Sequence, residues 1–322
     1  MRSRRSVDVP ALVEQARAGS SRALGRLITL VENAHPALRE VMALLAPHTG
    51  QARIIGLTGS PGVGKSTSTS MLVRALRQRD LRVGVLAVDP SSPFSGGALL
   101  GDRIRLSEHS LDPGVYIRSM ASRGHLGGLA WSTPQALRVM DAAGCEVILV
   151  ETVGVGQSEV EIAGLADTTL VLLAPGMGDG VQAAKAGILE VGDVFVVNKA
   201  DRDGADTTVR ELRQMISLGD RTEPGLWRPP VLKAVADRHE GGEEVVEALD
   251  RHLAWMQEHD ELDRRRRTRA AREVEAIALQ RLRARMGEVL GDGALAEATE
   301  EVLAGRLDPY AAADQVVSRV AG

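Results

Sequence analysis

Gly59-Ser60-Pro61-Gly62-Val63-Gly64-Lys65-Ser66 satisfies the pattern G-x-x-x-x-G-K-[ST] at every defined position. A β-branched run, Arg53–Thr58, precedes it, and a helical pattern over Ser66–Arg79 follows, which is the setting the pattern requires. At this chain's glycine, lysine and hydroxyl frequencies a chance match is expected on the order of 0.003 times per chain. Glycines at these positions let backbone N–H groups converge on phosphate oxygens at a helix N-terminus. The Lys65 ammonium reaches the β- and γ-phosphates, the Ser66 hydroxyl ligates Mg²⁺, and Thr67 belongs to the same nucleotide-binding stretch.

Working outward, short apolar runs alternate with helical stretches long enough for crossovers. The runs are Arg53–Thr58, Arg82–Val88, Val147–Val150, Thr169–Leu173, Val194–Val197 and Val231–Ala236. Nearly continuous apolar strands between helices predict a mostly parallel sheet covered on both faces. The predicted fold is therefore α/β, a P-loop NTPase three-layer sandwich. It is flanked by N-terminal helices, read as two over residues 7–50, and by a C-terminal helical arm. The organisation expected is 1–50 as a helical extension, 51–257 as the P-loop domain and 258–322 as a dimerisation arm. In the arm, Gly291-Asp292-Gly293 is expected to break the helix, with two short helices completing the chain. The segment Asp89–His125 is rich in Gly, Ser and Pro, without a clear period, which is a common property of functional loops.

Composition narrows the function. The chain has 322 residues, 44% hydrophobic and 25% charged, and a formal net charge of −4. Two per cent aromatic content and an acidic balance argue against a nucleic-acid surface. No apolar run approaches the ~18 residues of a membrane span, and no apolar stretch follows the basic Met1-Arg2-Ser3-Arg4-Arg5. The expected location is cytoplasmic. The arginine run Arg264–Arg267 is interleaved with acids and reads as a solvated helix face. One cysteine, Cys145, can form neither an internal disulfide nor a Cys-rich metal site.

The basic residues are almost all arginine, with lysine kept at 65, 185, 199 and 233 alone. A compact ammonium is thus retained where a planar guanidinium serves less well. Asparagine occurs only at 33 and 198. One lysine and one asparagine fall together in Asn198-Lys199-Ala200-Asp201, directly after the strand Val194–Val197. This matches the N-K-x-D element of GTP-binding proteins. The Asp201 carboxylate can accept from the guanine N1–H and 2-amino group, a donor pair that adenine lacks. Asn198 ties the loop to the phosphate loop, and the Lys199 stem lies along the base. Val235-Ala236 is the companion loop at the base edge, although it departs from the usual Ser-Ala. Lys233 has no assigned role.

Between these elements stand the carboxylates expected to order Mg²⁺ and water: Asp89 after the second strand, Asp102 in Gly101-Asp102-Arg103, and Glu151 in Glu151-Thr152-Val153-Gly154. The Gly154 N–H can sense the γ-phosphate. Lys65, Asp89, Asp102 and Glu151 are the candidate catalytic residues, and Ser66, Asp89, Asp102 and Glu151 the candidate metal set.

The phosphate loop, Val88–Ser92, Gly101–Arg103, Glu151–Ser158, Asn198–Asp201 and Trp227-Arg228-Pro229-Pro230-Val231 together resemble the MeaB/ArgK family of methylmalonyl-CoA mutase-associated GTPases. The resemblance extends from about Val7 to Leu290. It implies a homodimeric, Mg²⁺-dependent GTPase that turns GTP into GDP slowly and is stimulated by its partner. That partner would be an adenosylcobalamin-dependent acyl-CoA mutase, whose cofactor loading it gates and which it protects. Asp179, Gln182 and Lys185, in a Gly-rich loop entering a helix, correspond to the family's coupling switch. Two alternatives stay open: a metallochaperone GTPase, and a kinase linked to arginine/ornithine transport.

Overall fold

The computed structural model describes residues 7–89, 106–121, 132–152, 158–176, 188–218 and 225–321. Among these residues seven strands form one sheet: β1 Arg53–Thr58, β2 Val83–Asp89, β3 Val115–Ala121, β4 Val147–Thr152, β5 Thr168–Leu173, β6 Val194–Val197 and β7 Val231–Lys233. Their order is β3-β2-β4-β1-β5-β6-β7, and every neighbouring pair is parallel.

Alternation along the strands explains the two covered faces. Ile54, Ile148 and Val150 point to one side, where they meet the N-terminal helices Val9–Arg17, Ser21–Glu32 and Leu38–Leu45 and the helix Thr133–Ala142. Ile55, Leu57, Val147 and Leu149 point to the other, against the helices Lys65–Gln78 and Gly242–Glu258. Phe195 and Val197 meet a smaller cluster under the helix Ala205–Leu218. All six residues of β1 and of β5 are buried, as expected for central strands of a sheet with helices on both faces.

Three expectations change. Residues 7–50 hold three α-helices, the third being Leu38–Leu45. The stretch read as lacking a period contains β3, which pairs with β2 from Val83↔Val115 to Asp89↔Ala121. β3 lies at the sheet edge, and five of its seven residues are only partly buried, so no apolar alternation marks it. Finally, Gly291 and Gly293 do not interrupt the last long helix, which runs Glu261–Leu303 and is followed by Pro309–Ala321. Each interior glycine costs about 1 kcal/mol against alanine, but Glu288, Leu290, Ala294, Leu295 and Ala296 around them are good helix formers.

By internal contacts the chain divides into Met1–Arg265 and Arg266–Gly322. The first unit includes the opening turn of the long helix. Arg265 grips Asp193 with two bonds, Nη1 to Oδ2 at 2.8 Å and Nη2 to Oδ1 at 2.9 Å. Its Nε donates to Glu261 at 2.9 Å. Asp193 precedes β6 and also accepts from the Thr169 N–H at 2.8 Å, so the anchor sits at the edge of the sheet where strands begin. His252, fully buried, packs against both Trp227 and Trp255, which also contact each other, and its Nδ1 is 2.9 Å from the Thr168 hydroxyl.

Burial lowers the His252 pKa to about 4, with nearby Arg265 and Arg53 adding to the shift while Asp193 and Glu261 oppose it. A histidine kept neutral in the fold stabilises it fully above the unfolded value near 6.5. That contribution is lost as pH falls toward the folded value, because the unfolded chain then binds the extra proton. Between pH 7 and pH 4.5 this group is expected to remove about 2 kcal/mol. Urea unfolding across that range should show a steeper loss for the wild type than for His252→Gln. Parallel pH profiles would contradict the assignment.

Candidate nucleotide site

The candidate residues gather where the strands end. β1 lies between β4 and β5, and the loops leaving β1 and β6 meet at the carboxyl edge where open α/β sheets bind ligands, joined by the Asn198 and Lys199 side chains. Register places Leu57 of β1 beside Glu151 of β4, which brings that carboxylate to the start of the phosphate loop.

The loop itself takes a conformation that only glycine holds at low cost. Gly64 has φ +93°, and a Cβ there would fall 2.5 Å from the Asn198 side-chain nitrogen. Gly59 has φ +143°, and a Cβ would lie 2.3 Å from the Leu172 carbonyl oxygen. Both positions combine left-handed backbone with a close approach. The Lys65 ammonium curls over the loop and donates to the Gly59 carbonyl at 2.6 Å and the Ser60 carbonyl at 3.2 Å. It is buried, an unusual state for lysine and one that calls for such partners.

Ser66, the second residue of the helix Lys65–Gln78, donates its hydroxyl to Glu151 Oε1 at 2.6 Å. Thr69 Oγ1 stands 3.1 Å from the other oxygen, Oε2, and 3.0 Å from the Lys65 carbonyl. Thr69 was not among the residues singled out from sequence. Its signal there is only its place one helical turn beyond Ser66. One residue on, the Ser70 hydroxyl is in hydrogen-bond contact with His109 Nε2 at 2.8 Å and with the Glu108 carboxylate. This fastens the turn Ser107–His109 to the same helix.

On the β6 side, Asn198 bridges two loops. Its amide nitrogen donates to the Val63 carbonyl at 2.8 Å, and its amide oxygen accepts from the Ala236 N–H at 3.0 Å. Asn198, Val235 and Ala236 are all buried. Lys199, at φ +56°, donates to the Gly62 carbonyl at 2.7 Å. Asp201 is ion-paired with Arg238 at 3.3 Å, on the turn that follows Ala236. That turn closes by reciprocal Val235–Glu240 backbone bonds of 3.1 and 3.2 Å. Lys233 points elsewhere and pairs with Asp206 on the helix Ala205–Leu218.

Asp89 ends β2 at this same edge, with its backbone alone described. Asp102, Gly154, Asp179, Gln182 and Lys185 lie outside the described residues. Cys145 is remote from the site, and burial pushes its thiol up to about 12, which keeps it protonated and unreactive at neutral pH. Among the described residues no helix is long and apolar enough to cross a membrane.

Comparison with known proteins adds four findings. Residues 24–289 match the family described as methylmalonyl Co-A mutase-associated GTPase MeaB. A protein of Pyrococcus abyssi named as a GTPase is 45% identical over 315 residues, spanning 98% of this chain and 97% of that one. The Escherichia coli GTPase ArgK is 37% identical over 244 residues, 74% of this chain and 73% of its own. Among solved structures, one titled LAO/AO transport system kinase superposes with a TM-score of 0.69 at 26% identity, covering 98% of both chains.

Proposed function

The chain belongs to the MeaB family of methylmalonyl-CoA mutase-associated GTPases, and on that premise we propose that it chaperones an adenosylcobalamin-dependent acyl-CoA mutase. Methylmalonyl-CoA mutase is the first candidate client, as the family's description suggests. Hydrolysis of GTP to GDP would gate cofactor loading and protect the mutase. The observation that carries the guanine reading is Asn198, three residues before Asp201, whose one amide joins the phosphate loop to the Val235-Ala236 turn.

In this reading the backbone N–H groups of Gly62–Lys65 and the Lys65 ammonium hold the triphosphate. Asp201 accepts from the guanine edge, and Lys199 flanks the base. The donor chemistry fits Mg²⁺: a hydroxyl and a buried carboxylate, Ser66 and Glu151, are hard oxygen ligands already held together at 2.6 Å. Ser66 and Glu151 would hold the ion or its waters, with Asp89 and Asp102 completing the set. Bound there, Mg²⁺ would neutralise charge on the β- and γ-phosphate oxygens. Water attacks the γ-phosphorus, its bond to the β–γ bridging oxygen breaks, and GDP leaves.

Phosphoryl transfer depends on positioning and charge stabilisation, so an incomplete switch suffices to make turnover slow. The mutase would complete that switch through Asp179, Gln182 and Lys185, with the Gly154 N–H sensing the γ-phosphate. The arm 258–322 would form a homodimer: Val274, Ile277 and Leu282 are exposed apolar residues at helical spacing on it.

The test is steady-state hydrolysis of GTP and ATP with Mg²⁺, with and without purified methylmalonyl-CoA mutase. GTP should be preferred by at least roughly a hundredfold, and its turnover should rise about tenfold or more with the mutase. Rates indifferent to the mutase would remove this client. Equal use of ATP would favour the transport-kinase reading suggested by the name of the structural relative.

A further inference from the structure

We propose that Thr69 is a positioning residue for the magnesium carboxylate, fixing the second oxygen of Glu151 while Ser66 serves the ion. The inference rests on the metal-site reading above and concerns a residue outside the G-x-x-x-x-G-K-[ST] pattern.

Three observations carry it. Ser66 and Thr69 are three residues apart on one helix, so their hydroxyls lie on one face, a turn apart. They reach different oxygens of the same carboxylate, Oε1 at 2.6 Å and Oε2 at 3.1 Å. All three side chains are buried, Thr69 completely, so water does not readily replace a lost hydroxyl.

Thr69 has one hydroxyl proton and two acceptors in reach, the Lys65 carbonyl and Glu151 Oε2. The two distances, 3.0 Å to the Lys65 carbonyl and 3.1 Å to Oε2, are nearly equal, and of the two a carboxylate is the stronger acceptor. With Oε2 held by Thr69, the carboxylate plane cannot swing, and Oε1 stays facing Ser66 and the phosphate loop. The local sequence fits a placed hydroxyl. Ser66-Thr67-Ser68-Thr69-Ser70 is a run of mediocre helix formers in a helix of fourteen residues, where leucine or alanine would favour helix more.

Thr69→Val keeps the volume and removes the hydroxyl, and Thr69→Ser keeps the hydroxyl. The readout is release of a fluorescent GDP analogue from the full chain as Mg²⁺ is titrated, which needs no turnover. Thr69→Val should raise the Mg²⁺ concentration for half-maximal slowing of release roughly tenfold. Release in EDTA should stay near the wild-type rate, and Thr69→Ser should restore the Mg²⁺ response. Thr69→Ala, run in parallel, should show the same shift and keeps the comparison available if valine disturbs folding.

A Thr69→Val curve superimposed on the wild type overturns the inference, as does a loss that is equally large in EDTA. A wild type whose GDP release ignores Mg²⁺ overturns the metal-site reading itself, an outcome distinct from the other two.

Discussion

Lys65→Arg is expected to lower kcat/KM for GTP by two to three orders of magnitude, nearly as much as Lys65→Ala, although it keeps the charge. The ammonium sits buried, within 2.6 Å of the Gly59 carbonyl and 3.2 Å of the Ser60 carbonyl. A point charge on a flexible stem can leave these carbonyls for phosphate oxygens in the same small space. A planar guanidinium is larger, has fixed donor directions and does not fit that cradle. The substitution is informative because arginine outnumbers lysine so heavily elsewhere in the chain. Phosphate release at saturating Mg²⁺, with thermal melting to confirm the fold, gives the comparison. An arginine variant within fivefold of wild type would mean that charge alone suffices, and the geometric argument would fall.

Asp201→Asn should exchange one base for another. The carboxylate offers two acceptors to the two donors of guanine, N1–H and the 2-amino group. An amide offers one acceptor and one donor, which complements xanthine, whose 2-position is a carbonyl. The lost bond to a charged acceptor is worth about 1.5–3 kcal/mol, so GTP affinity should fall by about one to two orders of magnitude while XTP affinity rises. The partner of Asp201, Arg238, is more than half exposed, so losing this ion pair should change stability little. Competition between GTP and XTP for the variant tests this directly. A variant that still prefers GTP would place the guanine edge elsewhere than Asp201.

Much of this architecture was legible from residue order alone. The phosphate loop, the central strands and the N-K-x-D element rest on local rules. A glycine is needed where the chain turns left-handed, a run of β-branched residues where a strand is buried on both faces, and a named donor or acceptor where a base is read. β1 and β6 fall where the apolar runs predicted them. The edge strand β3 and the uninterrupted helix Glu261–Leu303 were not legible. A half-exposed edge strand is specified by its seven-residue pairing with β2, not by its own pattern, and two glycines were outweighed by the helix formers around them.

Sequence by itself determined the family, the kind of nucleotide site and the residue types available to it. Tertiary structure alone decided how those residues meet. Only the β1–β4 register brings Glu151 to Ser66 and Thr69 from more than eighty residues away, and only the packing of β6 beside β5 lets Asn198 span two loops. The physical reason is that spacing in sequence fixes contacts within a helix turn or a single loop. Contacts between distant segments are set by which strands pair, in what register, and by the burial that makes each hydrogen bond hard to replace with water.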